Sequence, residues 1–244
     1  MTDPPSELNP VRSSFLAKVQ AARFTQLLIT LTLLLFIVPF VSVFEHDVGK
    51  TLATLLVVML LTAVLVAAAL AVSESRRQTR ITLIFATACL TMSLIAHLFE
   101  SASWRIVLDI STIGFLIHVV RLVVRHLFRQ HHVDFDMIAA SLCGYLLIGV
   151  AFAAVFSLAH ELDADAISTN VSGAQALVSL RFGDSQTATS LYFSFVTLTT
   201  LGYGDITPIS MPTRMLATAE ALIGQLYLVI LVARLVALDI SNKD

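Results

Sequence analysis

Six stretches of about twenty apolar residues each, separated by short polar breaks, constrain this chain more than any other feature. They cover approximately residues 24–44, 51–72, 81–99, 104–128, 137–159 and 213–238. A hydrocarbon layer about 30 Å thick is crossed by roughly 20 residues of helix. Inside such a layer every backbone N–H and C=O must be bonded within the protein. The stretches are about twice the length of a barrel strand, so helices are the expectation. The chain is 57% hydrophobic and only 13% charged, against about 25% charged in soluble domains. That surplus does not fit a single aqueous core. Pro39 predicts a kink in the first stretch.

Charge placement says more than net charge. With 15 basic and 17 acidic residues and no basic face or tail, nucleic acid is excluded as a partner. Eleven of the basic residues fall on one set of alternate connections: Arg12, Lys18, Arg23, Arg76, Arg77, Arg80, Arg121, Arg125, Arg129, Arg234 and Lys243. The other set holds Lys50, Arg105, Arg181 and Arg214 among the acids Glu45, Asp47, Glu100, Glu161, Asp163, Asp165 and Asp184. The excess of Lys and Arg marks the cytoplasmic side and puts both termini there, in keeping with an even number of spans. The first 23 residues contain acids and three prolines and no apolar core, so they do not resemble a cleavable signal peptide. Cys89 and Cys143 lie inside apolar stretches and read as small core residues, neither a disulfide nor a metal site.

The fifth connection breaks the pattern, because 53 residues separate Ala159 from Thr213. Its first part, HELDADAISTNVSGAQALVSLRFGD, reads as an exposed acidic loop. Its second part, SQTATSLYFSFVTLTT, is apolar, aromatic and hydroxylated over half the length of a span. Asp184 or Ser185 is suited to cap it as a helix. A half-span helix followed by non-helical backbone is tolerated in a membrane only where that backbone is buried in protein or borders water. The segment that follows, VTLTTLGYGDITP over residues 196–208, therefore points to an aqueous path. Gly202 and Gly204 reach positive φ without a Cβ penalty, which a run of carbonyls aimed at one axis requires.

Thr199, Thr200, Leu201, Gly202, Tyr203, Gly204 and Asp205 together resemble the potassium-channel filter signature, with Leu201 where Val or Ile is more usual. The resemblance is to a bacterial-type, six-transmembrane channel with one pore loop and a voltage-gated-like layout. It implies, by the mechanism known for that family, that the ion is held at Thr200, Leu201, Gly202, Tyr203 and Gly204. Potassium would be coordinated by the carbonyls of Thr200, Leu201, Gly202 and Tyr203 and by the Thr200 hydroxyl. Asp205 would stand at the outer mouth, and Tyr192 and Phe193 would form an aromatic cuff that holds the ring's width. Many members carry a buried acid on the pore helix where this chain has Val196, so that brace is absent. Glu220, two turns into the last stretch, is a candidate substitute, bonding a hydroxyl such as Thr197 or Thr199; a Glu reaching water near the outer interface is the alternative. Gly224 reads as a hinge or as a close-packing residue. Gln225, Leu228 and Val232 share a stripe at spacings of three and four, which by the family alignment lines the cavity and gate.

The fourth stretch tests whether the layout senses voltage. Arg121, Arg125 and Arg129 are spaced by four and crowd its cytoplasmic end, while the middle holds Asp109 and His118. A sensor needs basic residues at every third position within the membrane, so positive-inside anchoring explains these arginines better. His126, His131 and His132 read as a solvated cluster near the interface, and residues 11–23 as an interfacial helix or a frayed helix start.

The expected fold is an all-α membrane protein with six transmembrane helices and a re-entrant pore helix and filter between helices five and six. Residues 1–23 are expected to form a cytoplasmic N-terminal segment and 24–130 a four-helix peripheral domain. Residues 136–238 make a pore domain and 239–244 a short cytoplasmic tail. One filter segment per chain calls for a homotetramer. The expected function is passive potassium conduction across a plasma membrane, a bacterial inner membrane by the resemblance, with weak or absent voltage gating. Potassium as permeant ion and the lipid bilayer are the implied partners, with no cofactor. The alternatives are a poorly selective monovalent cation channel and a subunit of a potassium transporter. No paired carboxylates, metal-ligand spacing or nucleophile elbow in the loops suggests an enzyme.

Overall fold

The computed structural model describes residues 23–44, 64, 67, 76–98, 102–129, 134–169 and 185–241. Its helices are α1 (Arg23–Phe44), α2 (Arg76–Leu98), α3 (Ala102–Arg129), α4 (Phe135–Leu162), α5 (Ser185–Leu198) and α6 (Met211–Ser241). Two short strands, β1 (Ile167–Thr169) and β2 (Ile206–Pro208), complete the order, β1 preceding α5 and β2 following it. Five of the six apolar stretches are thus helical over nearly their expected lengths. Of the second, only Val64 and Ala67 are described, both helical. Residues 1–22, His131, His132 and Asp184 lie outside the described residues. Pro39 sits inside α1.

Among the described residues, three helices are long and apolar enough to cross a membrane: Ile106–Arg129, Phe135–Leu162 and Met211–Leu238. The protein is a mostly helical, membrane-embedded chain. α1 illustrates why: Phe24, Leu27, Leu31 and Leu34 are buried at spacings of three and four, yet Ile29, Leu33 and Phe36 on its other faces are exposed. A helix that is apolar all round suits lipid on the side that protein does not cover.

α4 is the hub. It packs most extensively on α3 and also meets α1, α5 and α6. Lipid tails are as apolar as leucine, so helices in a bilayer associate through close packing and hydrogen bonds, not through the hydrophobic effect. α4 is built for that, burying Ala139, Ala140, Cys143, Gly144, Gly149, Ala151, Ala153 and Ala154. Asp134 caps its N-terminus, with its carboxylate accepting from the Met137 N–H at 2.8 Å. Cys143 donates to the Phe24 carbonyl of α1 at 3.4 Å, and both Cys89 and Cys143 are free and buried. α2 packs on α3, completing the described peripheral layer.

The structure differs from the sequence reading just after α4. The sequence HELDADAIS reads as an exposed loop, but Ala166 and Ile167 are buried. β1 pairs antiparallel with β2, with Ile167 opposite Pro208, Ser168 opposite Thr207 and Thr169 opposite Ile206. The Ala166 carbonyl accepts from the Ile209 N–H at 2.8 Å and from the Thr213 hydroxyl at 2.9 Å. The exit of α4 is therefore clamped to the start of α6, with α5 and its following turn held between them.

Candidate functional site

α5 ends where the special backbone begins. Its last carbonyls are not left open: Thr200 N–H donates to the Thr197 carbonyl at 2.9 Å, and Leu201 N–H to the Val196 carbonyl at 2.9 Å. Gly202 N–H reaches the same Val196 oxygen at 3.4 Å. Val196 brings no acid to this place, but its backbone ties the helix end to the turn. These bonds satisfy the orphan carbonyls of a helix C-terminus.

Beyond that tie the chain alternates in hand. Thr200 has φ 60°, Gly202 φ 55° and Gly204 φ 79°. The two glycines take this region at no steric cost, whereas Thr200 is a non-glycine residue held in it, a strain of about 1–2 kcal/mol. Alternation of left-handed and right-handed residues turns successive carbonyls toward the same side. Leu201 is 58% and Tyr203 67% exposed, so one chain leaves this row uncovered.

The flanking side chains divide. Tyr192 donates its hydroxyl to Asp205 Oδ2 at 2.6 Å, bridging α5 to the end of the turn. That hydroxyl holds the Asp205 carboxyl below the ordinary carboxylate range, with the Ile206 N–H adding a smaller effect in the same direction. Phe193 turns away from the turn within this chain and packs edge-on against Phe156 of α4 at 4.7 Å between centroids, in a small cluster with Ala166 and Ile167. Tyr192 thus contacts the turn, while Phe193 anchors the helix behind it. Thr199 donates to the Phe195 carbonyl at 2.6 Å, a local helix-end bond.

Glu220 faces α5, but not at the hydroxyls expected for it. It is fully buried, and its Oε1 lies 2.5 Å from the Ser194 hydroxyl, not against Thr197 or Thr199. Ser194 in turn reaches the Gly149 carbonyl of α4 at 2.7 Å. Ser194 was missed in the sequence, although it shares the four-residue spacing of Ser190 and Leu198, which are buried with it. The reading of Glu220 as an interfacial group reaching water is overturned by this burial.

Gly224 is buried against the end of α5. A Cβ placed there would lie 2.7 Å from Leu198 Cδ1 and 2.8 Å from the Leu198 carbonyl oxygen. The second contact is backbone and cannot swing aside, so close approach requires glycine here whether or not the helix also bends. Two tyrosines add ties: Tyr145 of α4 donates to the same Leu198 carbonyl at 3.4 Å, and Tyr227 of α6 to the Ser141 carbonyl of α4 at 2.7 Å. Gln225, Leu228 and Val232 are exposed in the single chain, on faces of α6 that its own helices leave bare.

This arrangement can present a short file of backbone oxygens to a cation, with a carboxylate beside it. Residues 166–238 match the family model described as Ion channel. Over these residues the chain is similar to an ion-channel pore domain. The match runs from the clamp at Ala166 through α5, the alternating turn and nearly all of α6, so every tie described above but those reaching back to α4 lies inside the matched region. No curated protein and no solved structure matches the chain.

Proposed function

We propose that the protein is a potassium-selective channel that conducts K+ passively across a plasma membrane as a homotetramer. Passive ion conduction follows from the pore domain; potassium as the ion rests on the turn itself. The observation that carries the reading is the run of left-handed residues Thr200, Gly202 and Gly204 directly after a short helix. Carbonyls of Thr200, Leu201, Gly202 and Tyr203 on one side, repeated around an axis, replace the water shell of a cation, as in channels with this signature. The C-terminal end of α5 adds its partial negative charge on the cavity side.

A tetramer is supported by what one chain leaves uncovered. Only 6% of the apolar stretch of α6 is buried within the chain, against 56% for α4. Leu222, Ile223, Leu226 and Val229 are all exposed, which suits packing against copies of the same helix. In this reading six spans are present and α5 re-enters the membrane. Residues 24–130 form the peripheral domain and 136–238 the pore domain, and Gln225, Leu228 and Val232 line the cavity. Arg121, Arg125 and Arg129 are exposed along α3, in keeping with anchoring at the inner leaflet and with weak or absent voltage gating.

Ion flux through the purified protein in liposomes tests the proposal, with reversal potentials in mixed potassium and sodium. The expected result is a potassium-selective flux abolished by Gly202→Ala or Tyr203→Ala. Flux that ignores both substitutions would sink the pore assignment, and equal permeability of the two ions would make this a poorly selective cation channel.

A further inference from the structure

Among the described residues, Glu220 is the one carboxyl buried completely beside the pore helix, and the hydrogen bonds around it determine how many protons the group holds. The Ser194 oxygen stands 2.7 Å from the Gly149 carbonyl and 2.5 Å from Glu220 Oε1. A carbonyl oxygen can only accept, and an ionised carboxylate can only accept, whereas a serine hydroxyl has a single proton to donate. With the carboxylate ionised, one of these two short contacts would set an acceptor against an acceptor. Both are satisfied at once only when Glu220 carries the second proton. Glu220 then donates to the Ser194 oxygen, and Ser194 donates to the Gly149 carbonyl.

Two further observations agree. Glu220 Oε2 is buried with no hydrogen-bond partner, which is tolerable for the carbonyl oxygen of a neutral acid but not for half of a delocalised charge. The polar side chain that α4 brings near it, Tyr145, gives its hydroxyl to Leu198.

We infer that Glu220 works as an uncharged proton donor in a relay from α6 through Ser194 of α5 to the backbone of α4. It is a positioning residue: it locks the pore helix between the outer and inner helices at Ser194, two residues before Val196, whose carbonyl holds Leu201 and Gly202. The relay supplies from the inner helix the brace that a valine at position 196 cannot supply from the pore helix. The functional half of this inference rests on the pore reading above; the proton count does not.

Infrared absorption of the purified full chain in lipid, wild type minus Glu220→Gln at neutral pH, reads the proton directly. The expected difference is one protonated-carboxyl C=O band, lost in Glu220→Gln and shifted in frequency in Ser194→Ala. In liposome flux, Glu220→Gln keeps the potassium-over-sodium ratio of the wild type, because an amide N–H can donate to Ser194 in the same place. Ser194→Ala and Glu220→Ala lower that ratio by about threefold or more, the weight of one membrane-buried hydrogen bond. Absence of the band from the wild type overturns the proton assignment. A Glu220→Gln protein as impaired as Glu220→Ala, or a Ser194→Ala protein with unchanged selectivity, overturns the positioning role. If the wild type carries no potassium flux at all, the pore reading fails while the infrared band still decides the proton.

Discussion

Thr200, Gly202 and Gly204 set the backbone on which everything else depends, and the structure makes different demands on them. Nothing lies within 4 Å of a Cβ built on Gly202 or Gly204, so the need for glycine there is conformational, not steric. Alanine at Gly202 would have to hold φ near 55° at a cost of about 1–2 kcal/mol in each chain. The expected outcome is a folded protein that has lost selective flux, checked by comparing thermal unfolding with liposome reversal potentials. Tyr192→Phe is a milder probe. It deletes the hydroxyl that donates to Asp205 while keeping the ring, so initial flux should persist and decay faster under sustained conduction. A time course of flux identical to the wild type would show that this bond does not hold the outer end of the turn.

The helices act on the turn through their ends and their close approaches. α6 reaches α5 at Gly224, where the nearest immovable atom is the Leu198 carbonyl, two residues before Thr200. Gly224→Ala should therefore change ion selectivity or single-channel conductance, because the added methyl displaces the end of the pore helix. If single-channel recordings of the variant show altered open probability with both filter properties intact, Gly224 is a hinge and its packing is incidental. Tyr227 offers a contrast on the same helix. Its hydroxyl bonds the Ser141 carbonyl of α4, one helical turn beyond Gly224. Tyr227→Phe should lower stability by about 0.6–1.7 kcal/mol in thermal unfolding and leave selectivity untouched. The sequence read α6 correctly as a continuous apolar helix with an acid and a glycine in it. Which of these faces α5 depended on the rotation of the helix, which its near-uniform hydrophobicity leaves unmarked.

For the molecule as a whole, the proposed pore needs more than one chain. α6 exposes Leu222, Leu226, Val229 and Val236, and the turn presents its open side outward. Native mass measurement in detergent should give four copies, and a monomeric species that still conducts would rule out the shared-axis pore. The peripheral layer makes a separate prediction. α3 and α4 follow one another closely and share the most extensive helix contact, so any movement of α3 would be felt at α4. In the proposed reading the exposed arginines of α3 anchor it at the inner leaflet and carry little charge across the membrane potential, each full transfer being about 2.3 kcal/mol per 100 mV. Neutralising Arg121 and Arg125 should leave the conductance–voltage relation unchanged; a steep relation abolished by these substitutions would make α3 a sensor.

Where information is local, the residues alone were decisive. Runs of apolar residues set the helices, and two alternate glycines mark the backbone that must leave helical geometry. Each follows from bilayer thickness or from the absence of a Cβ, with no knowledge of neighbours. Where the information is a meeting of two distant faces, only the tertiary structure decided. It gave Glu220 to Ser194 instead of a threonine, turned Phe193 onto Phe156, paired Ile167 with Pro208 across the turn and made Gly224 a contact with a carbonyl. A buried hydroxyl, an aromatic ring or a small residue looks the same in a membrane helix whichever way it points. The partner is chosen by how the helices rotate and cross, and that is set by all of their contacts together.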